Sequence, residues 1–246
     1  MRIALIGYGK MGRMIEEVAL ARQHQVVAKI DKDNQADFTK QTISLADVAI
    51  EFTAPDSAYA NVKNCIDFGV PVVSGSTGWN QDMDTIKKYC IENGGAFLHA
   101  SNFSIGVNIF FEINNRLAQL MAPQQGYDVR ITEIHHTQKL DKPSGTAVTL
   151  AEGILKNNNQ KQTWGFEKVD DPTQLLIISE RIDPAPGTHH VKYTSAIDDI
   201  ELIHTAHNRK GFALGAVLAA EFLHDKKGIF TMNDVLKSPL SPGGGT

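Results

Sequence analysis

Apolar residues fall into two rhythms along this chain. Up to His99, short strand-like apolar runs alternate with stretches whose apolar residues recur every three or four positions. The strand-like runs are Arg2–Ile6, Gln25–Ile30, Val48–Phe52, Val70–Val73 and Ala96–His99. Between them lie helical patterns such as Met11, Ile15, Val18, Ala19 and Arg22, or Ala58, Val62, Cys65 and Ile66. Strands interleaved with helices predict a parallel α/β sheet. Residues 32–41 are polar and irregular and fit a short helix or a loop.

From Val129 the alternating runs lengthen: Val129–Ile134, Leu175–Arg181, His190–Ser195 and Ile200–Ala206. Turns such as Ile182–Gly187 and Asp198–Asp199 separate them. This texture predicts a second, sheet-rich domain with helices over about 108–121 and 146–157. An apolar helix over Phe212–Leu223 and a short one over Met232–Lys237 close the pattern. The tail from Ser238 to Thr246 is rich in Pro, Gly and Ser and is expected to be mobile. There is no internal repeat.

The length of 246 residues suits one large domain or two modest ones. Hydrophobic and charged shares of 42% and 21% are those of an ordinary globular protein. A net charge of −4 offers no footprint for nucleic acid, so any cationic site must be local. The longest apolar run, Phe212–Leu223, contains Glu221 and is too short for a bilayer, which needs about 20 residues. The N-terminus lacks a signal-peptide pattern. Cys65 and Cys90 have no metal-like spacing and read as reduced buried thiols. The expectation is a cytoplasmic protein with no membrane and no nucleic-acid partner.

Gly7-Tyr8-Gly9-Lys10-Met11-Gly12 follows the first strand and opens a helix, and Asp31 ends the next strand. Alone, this glycine motif is a weak signal; strand, helix and acid together read as a dinucleotide site. Gly7 makes the turn, Gly9 lets the backbone approach pyrophosphate, Gly12 allows close helix–strand packing, and Asp31 meets the adenosine ribose. Asp31 favours NADH, while the neighbouring Lys32 can accept the 2′-phosphate of NADPH. Three further loops fall at strand ends, where open α/β sheets bind ligands: Phe52–Pro55, Gly75–Gly78 and His99–Phe103.

The richest chemistry lies in Glu133–Ala147, which holds two adjacent histidines, two lysines and a Pro-Ser-Gly-Thr turn. A strand ends there, and Ser144-Gly145-Thr146 opens a helix whose N–H groups suit an anion. The chemistry is that of a site that holds a small polyanion and hands it a proton. His135 and His136 would point to opposite faces of a continuing strand, so they share a task only if the strand has ended. A metal is the other reading of the pair. No carboxylate or cysteine stands at ligand spacing, and the lysines oppose a cation, so no metal is expected. The second pair, His189-His190, reads as structural or peripheral.

This run resembles the His-His-x-x-Lys-x-Asp-x-Pro-Ser-Gly-Thr-Ala segment of the dihydrodipicolinate reductases, also called 4-hydroxy-tetrahydrodipicolinate reductases, of the diaminopimelate branch of lysine biosynthesis. The resemblance covers nearly the whole chain. It implies an α/β plus α+β protein: a Rossmann-type dinucleotide-binding domain over 1–104, completed by 212–246. A mixed-sheet domain for substrate binding and oligomerisation, 105–211, is inserted between. It implies NADH or NADPH as cofactor, a small dicarboxylate substrate, domain closure around both, and a homotetramer built through the sheet of the inserted domain.

By the same resemblance His135 donates a proton, Lys139 is a second acid or cation, His136 touches substrate, and Ser144, Gly145 and Thr146 bind a carboxylate. Gly75, Ser76, Thr77, Ala100, Ser101, Asn102 and Phe103 line the nicotinamide and its ribose. Arg209 matches a recurrent segment without an assigned task. Two departures stand out. The chain is short after its second strand, and it has Lys10 where an arginine is common, which keeps the charge but leaves cofactor preference open. Two rival readings remain, another two-domain dehydrogenase and a non-catalytic dinucleotide sensor. Neither needs a proton donor beside a carboxylate cradle.

Overall fold

The computed structural model describes residues 1–167 and 171–238. The expectation of a mobile tail falls on 239–246, outside the described residues. Contacts group the chain into two compact units, residues 1–105 with the segment from Lys210 onward, and Gly106–Arg209.

In the first unit, β1 (Arg2–Ile6), α1 (Lys10–Ala21), β2 (Gln25–Ile30), α2 (Lys40–Ile43), β3 (Val48–Glu51), α3 (Pro55–Asp67), β4 (Val72–Ser74), α4 (Met83–Glu92) and β5 (Ala96–His99) follow in order. The second unit holds α5 (Ile105–Met121, from Gly106), β6 (Asp128–His135), α6 (Gly145–Asn157), β7 (Thr163–Gly165), β8 (Gln174–Arg181), β9 (Thr188–Thr194) and β10 (Asp199–Thr205). The chain then returns to the first unit with α7 (Lys210–Leu223), β11 (Gly228–Phe230) and α8 (Met232–Lys237).

The first sheet is wholly parallel in the order β11-β5-β4-β3-β1-β2. Its central strands are buried on both faces, as β3 shows with four buried residues, because helices cover both sides. One core forms under α1 and α7, around Ile3, Leu5, Ile15, Ile50 and Val217; the other forms around Ile6, Val62, Val72, Ile86 and Phe97. Helix α7 is apolar almost all round because it lies in the middle of this packing, and its Gly215 leaves no space for a side chain. Glu221 on α7 ties it to the end of α1, accepting from Arg22 at 2.7 and 2.8 Å and lying 2.7 Å from His24. The sequence pattern missed β7 and β11, since three residues are too few to display alternation. The polar stretch at 32–41 resolves into a 3₁₀ helix, Lys32–Asp37, and the start of α2.

The second sheet is mixed, in the order β10-β9-β6-β8-β7. β6 runs antiparallel to β9 and parallel to β8. Val129 and Ile131 of β6, Leu175 and Ile177 of β8, and Val191 and Tyr193 of β9 form one core with α5 and α6. Asn114 of α5 donates to the Leu150 carbonyl of α6 at 3.1 Å, and Gly153 permits their close approach, since a Cβ there would meet Asn115 at 2.3 Å. Among the described residues no helix is long and apolar enough to cross a membrane.

Candidate active site

In the first unit the glycine loop is fixed by close contacts that only glycine allows. A Cβ on Gly7, whose φ is +93°, would lie 2.0 Å from the Phe52 carbonyl oxygen, and one on Gly12 would lie 2.3 Å from that of Gly7. Gly9 differs: nothing stands within 4 Å of its Cβ position, so the loop is open there. Gly9 caps α1 without a side-chain hydrogen bond, and no acidic residue occupies the first turn of that helix. Orphan N–H groups, open space and the helix dipole fit a pyrophosphate. The Asp31 carboxylate accepts from the Lys32 N–H at 2.9 Å, while the Asp31 N–H donates to Asn34 at 2.7 Å. This cap fixes the acid at the strand end and leaves the Lys32 side chain exposed. Tyr8 is clamped by its hydroxyl on Glu16, with Arg13 and Lys29 each 4.9 Å from its ring centre. Arg13 is a cation beside the loop that the motif did not single out.

The end of β4 and the loops after β3 and β4 are organised by one buried carboxylate, Glu51, which the sequence pattern does not single out. It accepts from the Thr53 N–H at 2.9 Å, Ser74 Oγ at 2.6 Å, Ser76 Oγ at 2.7 Å and the Thr53 hydroxyl. Ser76 is buried, with its hydroxyl turned to Glu51, and Phe103 is 2% exposed and packs its ring against Phe52 at 5.6 Å. Both can meet a ligand only through the backbone. Thr77 and Ser101 are exposed, Gly75 and Ala100 are half-buried, and Asn102 accepts from the Ser104 N–H at 2.9 Å.

In the second unit, strand alternation puts Glu133 and His135 on the face that carries the helices. Register does the rest. Glu133 pairs with His189 on β9 and with Ser179 on β8, and His135 pairs with Arg181. The Glu133 carboxylate, fully buried, accepts from the Ser144 N–H at 3.1 Å to both oxygens, from Ser179 Oγ at 2.7 Å and from Arg181 at 3.4 Å. It lies 3.4 Å from His135 Nδ1 and 3.8 Å from His189 Nε2. The rings of His135 and His189 meet edge to face at 5.0 Å.

From sequence, His189 reads as structural or peripheral; the pairing of β6 with β9 makes it a buried member of this cluster rather than a peripheral residue. From sequence, no carboxylate or cysteine stands at ligand spacing to the histidine pair. Ligand-type atoms of Glu133, His135 and His189 in fact lie within 4.8 Å of one another. The carboxylate is already engaged by Ser144, Ser179 and Arg181, and the Arg181 and Lys139 cations oppose a divalent ion. A divalent ion there would have to displace those donors and face two cations.

Burial pushes the Glu133 carboxyl up, but the hydrogen bonds from Ser144 and Ser179 outweigh it and hold the group below its usual range. Burial lowers His135, opposed by Glu133, and lowers His189 to about 3. β6 ends at His135, so His136 is the first residue beyond it; its carbonyl accepts from the Lys139 N–H at 3.1 Å. Lys139 Nζ donates to both oxygens of Asp141 at 2.8 and 2.9 Å. Arg181 braces this loop by donating to the carbonyls of Lys139 at 3.2 Å and Asp141 at 2.6 Å.

Helix α6 begins beside the cluster. Ser144 caps it, accepting from the Ala147 N–H at 3.2 Å, and its Oγ lies 3.2 Å from His189 Nε2. Ser144 is 3% exposed, and its hydroxyl turns toward the Ala147 N–H and His189. Gly145 has open space at its Cβ position, and the first turn of α6 contains no acid. An anion is therefore favoured at this helix start.

The profile described as "Dihydrodipicolinate reductase, N-terminus" matches residues 1–103, and "Dihydrodipicolinate reductase, C-terminus" matches 106–236. A protein of Christiangramia forsetii named 4-hydroxy-tetrahydrodipicolinate reductase is 50% identical over 237 residues, covering 96% of this chain and 98% of its own. A protein of the same name from Buchnera aphidicola subsp. Acyrthosiphon pisum is 34% identical over 266 residues, covering 96% and 97%. The solved structure of a dipicolinate-bound dihydrodipicolinate reductase from Paenisporosarcina sp. TG-14 has a similar fold. Its TM-score is 0.77 at 23% identity, and the match covers 95% of this chain and 98% of that one.

Proposed function

Because this chain belongs to the dihydrodipicolinate reductase family, we propose that His135 is its proton donor and the start of α6 its carboxylate cradle. The chain is an oxidoreductase that reduces 4-hydroxy-tetrahydrodipicolinate to tetrahydrodipicolinate with NADH or NADPH, in diaminopimelate and lysine biosynthesis. The observation that carries the assignment of roles is the convergence of His135 and the start of α6 around one buried carboxylate.

A nicotinamide held in the first unit would supply a hydride to C4 of the substrate ring after water is lost. His135 then gives a proton to the resulting enamine carbon, and the electrons of the broken N–H bond stay on the imidazole. Ser144, Gly145 and Thr146 hold one substrate carboxylate at the helix start, with Ser144 also capping the helix. Lys139 leaves Asp141 to pair with substrate, and His136 contacts it from the end of β6. In the first unit, Gly7, Tyr8, Gly9, Lys10, Met11 and Gly12 hold the pyrophosphate. Asp31 and Lys32 meet the adenosine ribose, and Gly75, Ser76, Thr77, Ala100, Ser101, Asn102 and Phe103 form the nicotinamide side. Steady-state oxidation of NADH and NADPH by the purified chain with the ring substrate tests the reading; no turnover with either cofactor sinks it.

The boundaries 1–104, 105–211 and 212–246 are the proposed domain limits. A homotetramer through the second sheet is supported by α5 and α6, which, among the described residues, pack on one of its faces, and by Ile203, 59% exposed on β10. Sedimentation as a monomer at micromolar concentration counts against it. The cytoplasm is the proposed location, in keeping with Cys65 and Cys90, which are buried and unpaired.

A further inference from the structure

Glu133 has no task in the reaction as described, yet it sits where the parts of the proton-transfer site meet. Its carboxylate receives the N–H of the residue that caps α6, a hydroxyl and a guanidinium from β8, and faces the rings of His135 and His189. A carboxylate with no exposure is a costly way to fill space, and an apolar residue would fill it more cheaply. What distinguishes the carboxylate is its charge and its direction.

The His135 ring shows the direction. Its Nδ1 is buried, has no hydrogen-bond partner and lies 3.4 Å from Glu133 Oε2. Its Nε2, on the other edge of the ring, faces Gly187, where a Cβ would come within 3.1 Å. The glycine thus keeps the second nitrogen clear. We propose that Glu133 is the positioning residue for proton transfer: it turns Nδ1 of His135 inward, leaves Nε2 as the donating atom and stabilises the protonated ring. This rests on His135 being the donor. In the transfer, the Nε2–H bond breaks, the proton goes to the substrate carbon, and the ring stays neutral with its hydrogen on Nδ1.

The charged groups around His135 come from every element packed on it. Glu133 on β6 and Asp141 in the loop favour the protonated ring; Lys139 in the same loop and Arg181 on β8 oppose it. His189 on β9 is held neutral by burial. Glu133 is the buried anion of the set, and removing its charge leaves the two cations and burial less opposed.

The test is the pH profile of kcat for Glu133→Gln, which keeps the shape and an acceptor for Ser144, Ser179 and Arg181. A general acid fails once it loses its proton, so the alkaline limb should move to lower pH. The loss in kcat should grow with pH and stay below the roughly 10²–10⁴-fold expected on removing the donor itself. KM for the ring substrate should change less than kcat, because the helix start keeps its anchor. An NMR titration of the His135 ring should follow the same shift.

A variant that does not fold, by its melting curve, is replaced by Glu133→Asp, whose charge stands one methylene further back and whose alkaline limb should also lie below that of the wild type. An alkaline limb unchanged in the folded variant, or KM and kcat altered alike, overturns the proposal while leaving the donor reading intact. Near-normal turnover in His135→Gln overturns the donor reading instead.

Discussion

Lys139 Nζ lies 2.8 and 2.9 Å from the two carboxylate oxygens of Asp141, two residues along the same loop. The lysine proposed to meet a dicarboxylate substrate therefore already has an anion, and substrate must compete with it. Asp141 is 58% exposed, so the pair is partly screened. Exchanging an exposed pair changes binding by about 0.2–1 kcal/mol. Asp141→Asn should accordingly lower KM by about 1.5- to 5-fold with little change in kcat. A raised KM would show that Asp141 helps to hold the loop rather than to occupy the lysine.

His135 and Thr146 should separate in kinetics. His135 acts as the transition state forms, so His135→Gln should lower kcat about 10²–10⁴-fold. Thr146 at the start of α6 acts on a ground-state carboxylate, so Thr146→Val should act mainly on KM. Lys139→Ala should affect both. NADH binding, followed by fluorescence, should be unaltered in all three variants; the same kinetic phenotype for His135→Gln and Thr146→Val would dissolve the division of roles.

Asp31 and Lys32 should set cofactor choice. The acid is held by its cap on the 3₁₀ helix, whereas the Lys32 side chain stands exposed beside it. Loss of a charge-assisted phosphate contact costs roughly 1.5–3 kcal/mol. Lys32→Ala should thus weaken NADPH more than NADH. Equal weakening of both in a titration would make Lys32 a surface residue.

Stability should fall with acid earlier than the carboxylates alone would cause. His189 is 5% exposed, and burial lowers its pKa from 6.5 to about 3. A depressed pKa means the unfolded chain takes up the proton first. The contribution is fully present above about pH 6.5 and is lost as pH falls towards 3, at about 1.4 kcal/mol per pH unit for one proton. His135, His99 and His204 shift in the same direction. Glu133 and Glu221, held low, add their loss only at more acid pH. Urea midpoints of His189→Gln between pH 7 and 5 should decline less steeply than those of the wild type; parallel slopes would refute the assignment to His189.

Much of the site was legible in local pattern. The glycine loop announces itself because Gly7 and Gly12 occupy positions that reject a side chain, and Asp31 because it ends a strand next to a cap. The run from His135 to Thr146 is visible because a strand end, a turn and a helix start succeed one another within it. Glu133 could have been found too, since it stands two residues before His135 on the same strand face. Glu51 gave no such sign: two of its donors, Ser74 and Ser76, come from the end of the neighbouring strand β4 and the loop after it, more than twenty residues along the chain.

By itself, the sequence determined what local physics determines. Apolar rhythm placed the longer strands and helices, and turn residues placed their ends, because those forces act over a few residues. Tertiary structure alone decided what depends on pairing. The register of β6 against β9 and β8 brings His189, Ser179 and Arg181 to Glu133 across more than forty residues of chain, and no local pattern encodes a register. It decided too which hydroxyls turn inward. Ser76 and Ser144 look like ligand-binding serines in sequence, but the Ser76 hydroxyl donates to buried Glu51, and the Ser144 hydroxyl accepts from the Ala147 N–H beside His189.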